Sequence, residues 1–115
     1  MDQICLVLPI LPGKTADARD FQQELDTDRK ADYDHSERRI GITKEVWYLA
    51  SLPGGDHLVA YMESGNFQQA LQQFVASQDA FDQWFKRRLA EVTGLDMNNL
   101  PPDLKLPELV SRYEA

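Results

Sequence analysis

The sequence predicts one α+β domain, a four-stranded antiparallel sheet with two helices packed on one face. Three observations carry this prediction. Runs with strand character and runs with helical periodicity follow in the order strand, helix, strand, strand, helix, strand. The 115 residues, 43% of them hydrophobic, fit a single domain, 1–115, that can bury its own core. The lone Cys5 forbids an internal disulfide, so packing has to supply the stability.

The elements follow in order. Residues 4–10 (Ile-Cys-Leu-Val-Leu-Pro-Ile) are apolar on both alternating faces, as in a strand covered on two sides. Pro12-Gly13 turns the chain. Gly13-Lys14-Thr15 resembles the end of a phosphate loop, but the first glycine such a loop needs would fall at Leu8, inside the strand. It reads instead as a turn with Thr15 as N-cap. Ala18, Phe21 and Leu25 form a helical stripe that weakens through Asp26, Asp28, Arg29, Lys30, Asp32 and Asp34. Arg38, Arg39 and Gly41 supply a helix end, so one long helix is predicted over 15–39. Residues 42–52 and 57–63 are β-prone runs flanking Pro53-Gly54-Gly55-Asp56, a hairpin. Asn66 caps a second helix, with Gln69 at the capping-box position. Its stripe is Phe67, Ala70, Leu71 and Phe74. After an interruption at Ser77-Gln78-Asp79 it continues through Phe81, Trp84, Phe85, Leu89 and Val92 to Gly94. Pro101, Pro102 and Pro107 keep 95–107 extended, and 108–113 is predicted as a short edge strand.

Charge and hydropathy exclude several partners. Twelve basic residues against 19 acidic ones give a net charge of −7, the wrong sign for nucleic acid or an anionic membrane. The longest apolar run, Ile4 to Leu11, is far short of the about 20 residues that span a bilayer. No basic segment precedes it, so export is not expected, and with a single thiol a cytoplasmic location is. The acids of the first helix, Asp17 to Glu37, read as a solvated outer face.

The element order is that of a ferredoxin-like βαββαβ domain. Helices cover one sheet face, yet the strands are apolar on both. The second face therefore needs a partner, and a second copy of the chain is the simplest one.

Several motifs run the length of the chain: Arg39-x-Gly41-Ile42-x-x-Glu45-x-Trp47, Pro53-x-Gly55-Asp56, Tyr61-x-Glu63, Phe81-Asp82-x-Trp84-Phe85 and Leu106-Pro107-Glu108-Leu109. With the element order, they resemble an uncharacterised bacterial family of the dimeric α+β barrel superfamily. That superfamily also holds antibiotic-biosynthesis monooxygenase-like, stress-responsive and haem-degrading proteins. The resemblance implies a homodimer with a ligand pocket between the helices and sheet of each subunit. It assigns no reaction to a residue.

Candidate chemistry is sparse. His35 and His57 lack a second histidine at ligand spacing, so no metal site is expected. His35 has Asp32 and Asp34 close by, an arrangement that suits either a general base or a half-exposed surface histidine. Haem ligation by His35 rests on the resemblance alone, and no cofactor is assigned. Arg29, Asp32, Tyr33 and Ser36 continue the first helix's stripe. They line either a pocket mouth or solvent, and solvent is favoured. Trp47, Tyr48, Tyr61 and Trp84 are the candidate ligand-binding aromatics, and a filled aromatic core is the favoured alternative. Glu45 and Glu63 decide between the two. A carboxyl facing an apolar cavity would have a raised pKa and could act as a base, whereas one at a strand end pairing with Arg38 or Arg39 would be structural. Cys5 sits in an apolar strand with no cationic neighbour and is expected to be inert.

Two functions are therefore carried forward. One is a cofactor-independent enzyme, monooxygenase-like or isomerase-like, acting on a small apolar or aromatic metabolite, with His35 or Glu63 moving protons. The other is a non-catalytic homodimeric binding or interaction module. If aromatics fill the space between helices and sheet and leave no cavity of roughly 300 Å3 or more, the metabolite-pocket expectation fails.

Overall fold

The computed structural model describes residues 1–115. Seven elements form: β1 (Asp2–Pro9), α1 (Thr15–Asp26), α2 (Lys30–Ile40), β2 (Ile42–Leu52), β3 (Gly55–Ser64), α3 (Phe67–Ala76) and α4 (Ala80–Thr93). The sheet is antiparallel with strand order β1-β3-β2. An α+β domain with the helices on one sheet face is what the sequence predicts.

The predicted fourth strand does not form, so the βαββαβ order is incomplete. Residues 108–113 lie outside any element, with Leu109, Val110 and Tyr113 exposed. Pro107 removes a ladder donor just before the segment. Leu109 and Val110 are adjacent rather than alternating, so pairing them would bury only one of the two on the core face.

The predicted long helix is two helices. Thr27 bends its hydroxyl back to the Gln23 carbonyl at 2.8 Å, a local bond that competes with helix continuation. No basic residue supports the last turn of α1. The chain turns at 27–29 and restarts at Lys30. Thr15 is not the N-cap. Lys14 occupies that position without a side-chain cap, and Thr15 Oγ1 donates to Asp56 Oδ2 at 2.7 Å, tying α1 to the β2–β3 turn. Elsewhere the capping residues behave as their chemistry dictates. Asn66 Oδ1 accepts from the Gln69 amide at 3.1 Å, Asp79 re-caps at α4, and Gly41 ends α2 in the left-handed region at φ 89°.

Strand register sets which side chains face the helices. Leu58, Ala60 and Met62 of β3 point to the core, opposite Leu8, Leu6 and Ile4 of β1. On β2 a bulge intervenes: Ile42 pairs with Ser64 but Lys44 pairs with Glu63. One residue is skipped, and the alternation beyond it reverses. Glu45, Trp47 and Leu49 therefore stand opposite Met62, Ala60 and Leu58, facing the helices. Without the bulge Lys44, Val46 and Tyr48 would face inward. Ala18, Phe21 and Leu25 of α1 meet Phe67, Ala70 and Phe74 of α3 and the α4 stripe from Phe81 to Val92 in one core.

Candidate functional site

Helix α2 supplies the site's first side chains. Tyr33, Ser36, Glu37 and Ile40 recur at helical spacing and share the face turned to the core. Only Ile40 is apolar, so this face is polar where a packing helix is usually greasy. Strand β2 supplies Glu45 and Trp47, turned inward by the bulge.

These residues meet. Tyr33 donates its hydroxyl to Glu45 Oε2, and Trp47 Nε1 donates to the same oxygen at 2.9 Å. The Glu37 and Glu45 carboxyl groups are within hydrogen-bonding reach of each other. Glu37 Oε2 is withdrawn from solvent with no hydrogen-bond partner. Neither carboxyl has an ion pair: Arg38 pairs with Asp34, and Arg39 with Asp79 and Asp82.

Two adjoining half-buried carboxyls with no paired cation disfavour double ionisation. Burial pushes Glu37 up to about 10, and the neighbouring Glu45 charge adds to it. Burial also raises Glu45, but the donors from Tyr33 and Trp47 oppose the rise. Of the two, Glu45 is the one whose charge the surrounding donors favour, and Glu37 the one on which a proton is favoured. The Tyr33 phenol is raised in turn, by burial and then by Glu45, and stays neutral. The result is a pair in which a Glu37 carboxyl that favours its proton faces a Glu45 carboxyl accepting from Tyr33 and Trp47.

This pair forms part of the wall of a cavity of about 190 Å3 between the helix layer and the sheet. Eighteen of its 22 lining residues are hydrophobic, among them Leu6, Ile40, Met62, Phe74, Phe85 and Leu89. Leu104 to Pro107 of the tail form its rim. The pair also lines an open polar groove bounded by Tyr33, Lys30, Asp34, Arg38 and Lys44. Glu37 and Glu45 thus stand between an apolar cavity and a polar groove open to solvent.

The cavity is smaller than the roughly 300 Å3 expected for a metabolite pocket. Aromatic side chains fill most of the layer: Phe85 lies 5.1 Å from Phe21, 5.4 Å from Phe74 and 6.2 Å from Trp47. What remains exceeds the ~150 Å3 of an engineered apolar cavity that takes up benzene. The space is that of a single ring or a short chain.

Of the predicted ligand-binding and catalytic residues only Trp47 lines this cavity, together with Glu45, one of the two carboxylates the sequence singled out. Trp84 is core, 5.7 Å from Phe21 and 5.6 Å from Phe81, with the Arg29 guanidinium 4.4 Å above its ring. Tyr48, Tyr61 and Glu63 occupy the opposite sheet face, where Tyr61 donates to Glu63 Oε2 at 2.6 Å. His35 is exposed on α2, away from the cavity. The solvent reading of the continuing α2 stripe is wrong for Tyr33 and Ser36, and the solvated-face reading is wrong for Glu37. Glu37 went unseen in the sequence, although its spacing with Tyr33 and Ile40 marks the inner face.

A second polar cluster anchors α2 from behind. Asp82, fully buried on α4, accepts from Ser36, Ser77 and Arg39. Lys86, one turn on, donates to the Phe74, Val75 and Ser77 carbonyls at 2.9, 3.1 and 3.0 Å. It caps the end of α3. Serine, arginine and aspartate thereby fix the turn of α2 that carries Glu37.

Residues 1–111 match the family described as "Family of unknown function (DUF6176)". The chain belongs to this family. No curated protein and no solved structure matches the chain, so no relative lends a substrate. The match spans both the α2 and β2 residues of the carboxyl pair and the tail over the cavity. No group of histidine, cysteine and carboxylate side chains is arranged to hold a metal, and no helix is long and apolar enough to cross a membrane.

Proposed function

We propose that the protein binds a small, mostly apolar molecule between its helices and its sheet, with the Glu37–Glu45 pair receiving the molecule's one polar group. The observation that carries this is a pair of carboxyls in the wall of an otherwise apolar cavity, one oxygen left without a partner. Such a pair costs folding free energy beyond what an apolar wall would, and strongly raised carboxyls in a cavity wall are candidates for a functional site.

A proton-transfer enzyme of the isomerase type is the catalytic form of this reading. A neutral acid next to a carboxylate can deliver a proton at one point and take one at another. The monooxygenase-like alternative rests on the superfamily resemblance alone. As a binding module the protein would use the same contacts and release its ligand unchanged.

A homodimer through the open sheet face belongs to the same proposal. Val7 and Tyr48 there are 48% and 61% exposed, and Cys5, Val46 and Val59 share their face. A cytoplasmic setting suits the free thiol of Cys5 on that surface.

The test is a single-ring fragment screen read by NMR at the indole N–H of Trp47, assigned with Trp47→Phe. Shifts at Trp47 that are absent at Trp84 support the cavity. No fragment bound at millimolar concentration, or shifts at Trp84 alone, would refute it.

A further inference from the structure

We propose that the polar group taken by this cavity is a protonated amine, so that the ligand class is a small apolar or aromatic amine. The inference deepens the binding reading above and rests on it.

The argument is one of charge and donor inventory. Elsewhere in the molecule buried charges are met: Asp82 by Arg39 and two serines, Lys86 by three carbonyls. At the cavity they are not. Of the lining residues only Glu37, Glu45 and Lys105 are charged, and Lys105 belongs to the exposed tail and forms no ion pair. The local donors are already spent, since the Tyr33 hydroxyl and Trp47 Nε1 both go to Glu45 Oε2. Glu37 Oε2 accepts from none of them. The missing complement is a positively charged group with more than one N–H.

Each alternative fits less well. A carboxylate or phosphate would bring a second negative charge against the first in an apolar site. An alcohol would donate one hydrogen bond and leave the carboxylate charge uncompensated. A hydrocarbon would leave both carboxyls unmet. An ammonium neutralises the single negative charge of the pair and offers three donors to its oxygens.

The remaining walls suit the same ligand. Trp47, Phe74 and Phe85 line the cavity beside the pair, and aromatic faces attract cations as well as apolar rings. The cavity of about 190 Å3 takes one ring with a short arm. Both carboxyls also line the polar groove, so the proton of Glu37 can exchange with solvent without passing the ligand.

The experiment uses the full chain and three probes of one shape: benzylamine, benzyl alcohol and toluene. Their affinities are measured at neutral pH by NMR titration at the Trp47 indole. Benzylamine should bind tightest, by about tenfold or more over benzyl alcohol, the range of a hydrogen bond to a charged group. Glu45→Gln, checked for folding by circular dichroism, should erase that preference and leave toluene unaffected. The wild-type comparison stands even where the variant fails to fold. Benzyl alcohol or toluene binding as tightly as benzylamine would overturn the amine class and leave the cavity reading intact. Silence from all three would overturn both.

Discussion

Replacing Glu37 by glutamine should stabilise the protein above neutral pH. Glutamine keeps the shape of a protonated glutamate and cannot ionise. In the folded state Glu37 titrates near 10 rather than 4.5, chiefly because burial disfavours its charge. Between those values the folded chain holds a proton that the unfolded chain has lost. The unfolded state then binds fewer protons, so stability falls as pH rises through the window. From 4.5 to pH 7 is about 2.5 pH units, each worth about 1.4 kcal/mol, which sets an upper bound of about 3.4 kcal/mol on the cost at neutrality. Sharing of the proton with Glu45 reduces this, and a gain of about 1–3 kcal/mol is expected for Glu37→Gln. The assay is urea unfolding of both proteins at several values from about pH 5 to about pH 8, with the difference between them isolating this one group. The two curves should converge at the acid end and separate steadily toward the alkaline end. A constant difference, or a variant weaker at about pH 8 than at about pH 5, would show that Glu37 is ionised in the fold and that the pair does not share a proton.

Three further outcomes follow. Asp82→Ala should cost about 1–3 kcal/mol in urea unfolding, because it leaves the hydroxyls of Ser36 and Ser77 without their acceptor while Arg39 keeps Asp79. Lys86→Met should cost about 2 kcal/mol, since the last carbonyls of α3 lose their donor while the side-chain stem still packs. Tyr48→Glu combined with Val7→Lys should give a monomer by light scattering, whereas the wild type should show about twice the 13.2 kDa chain mass. A wild-type monomer at micromolar concentration would refute the dimer.

The sequence makes the apolar parts legible. The stripes Ala18–Phe21–Leu25 and Phe81–Trp84–Phe85–Leu89–Val92 are the core of the folded chain, because a periodic apolar pattern has one way to be buried. The hairpin follows from Pro53-Gly54 for a similar reason. The failures are where polarity or register decides. Residues 108–113 have strand composition but meet no partner edge in the folded chain. The bulge near Thr43 is invisible to period-two counting, yet it alone turns Glu45 and Trp47 inward and leaves Tyr48 outside. Tyr61 and Glu63 looked convergent with Trp47 because each pair alternates correctly within its own strand. The register between the strands puts them on opposite faces.

Helix α2 shows why the site was the hardest part to read. Its core-facing positions are Tyr33, Ser36, Glu37 and Ile40, so a rule that seeks apolar residues inside assigns the segment to solvent. The helix is held by specific polar partners. Tyr33 and Glu37 reach Glu45 on one side, and Ser36 and Arg39 reach Asp82 on the other. A helix needed only to cover a sheet would do so with leucine and valine, at lower desolvation cost and with no dependence on geometry. Two polar networks on neighbouring turns give α2 a fixed rotation, and that rotation sets the separation of Glu37 from Glu45. The polarity that hides α2 from pattern analysis is therefore what sets Glu37 against Glu45.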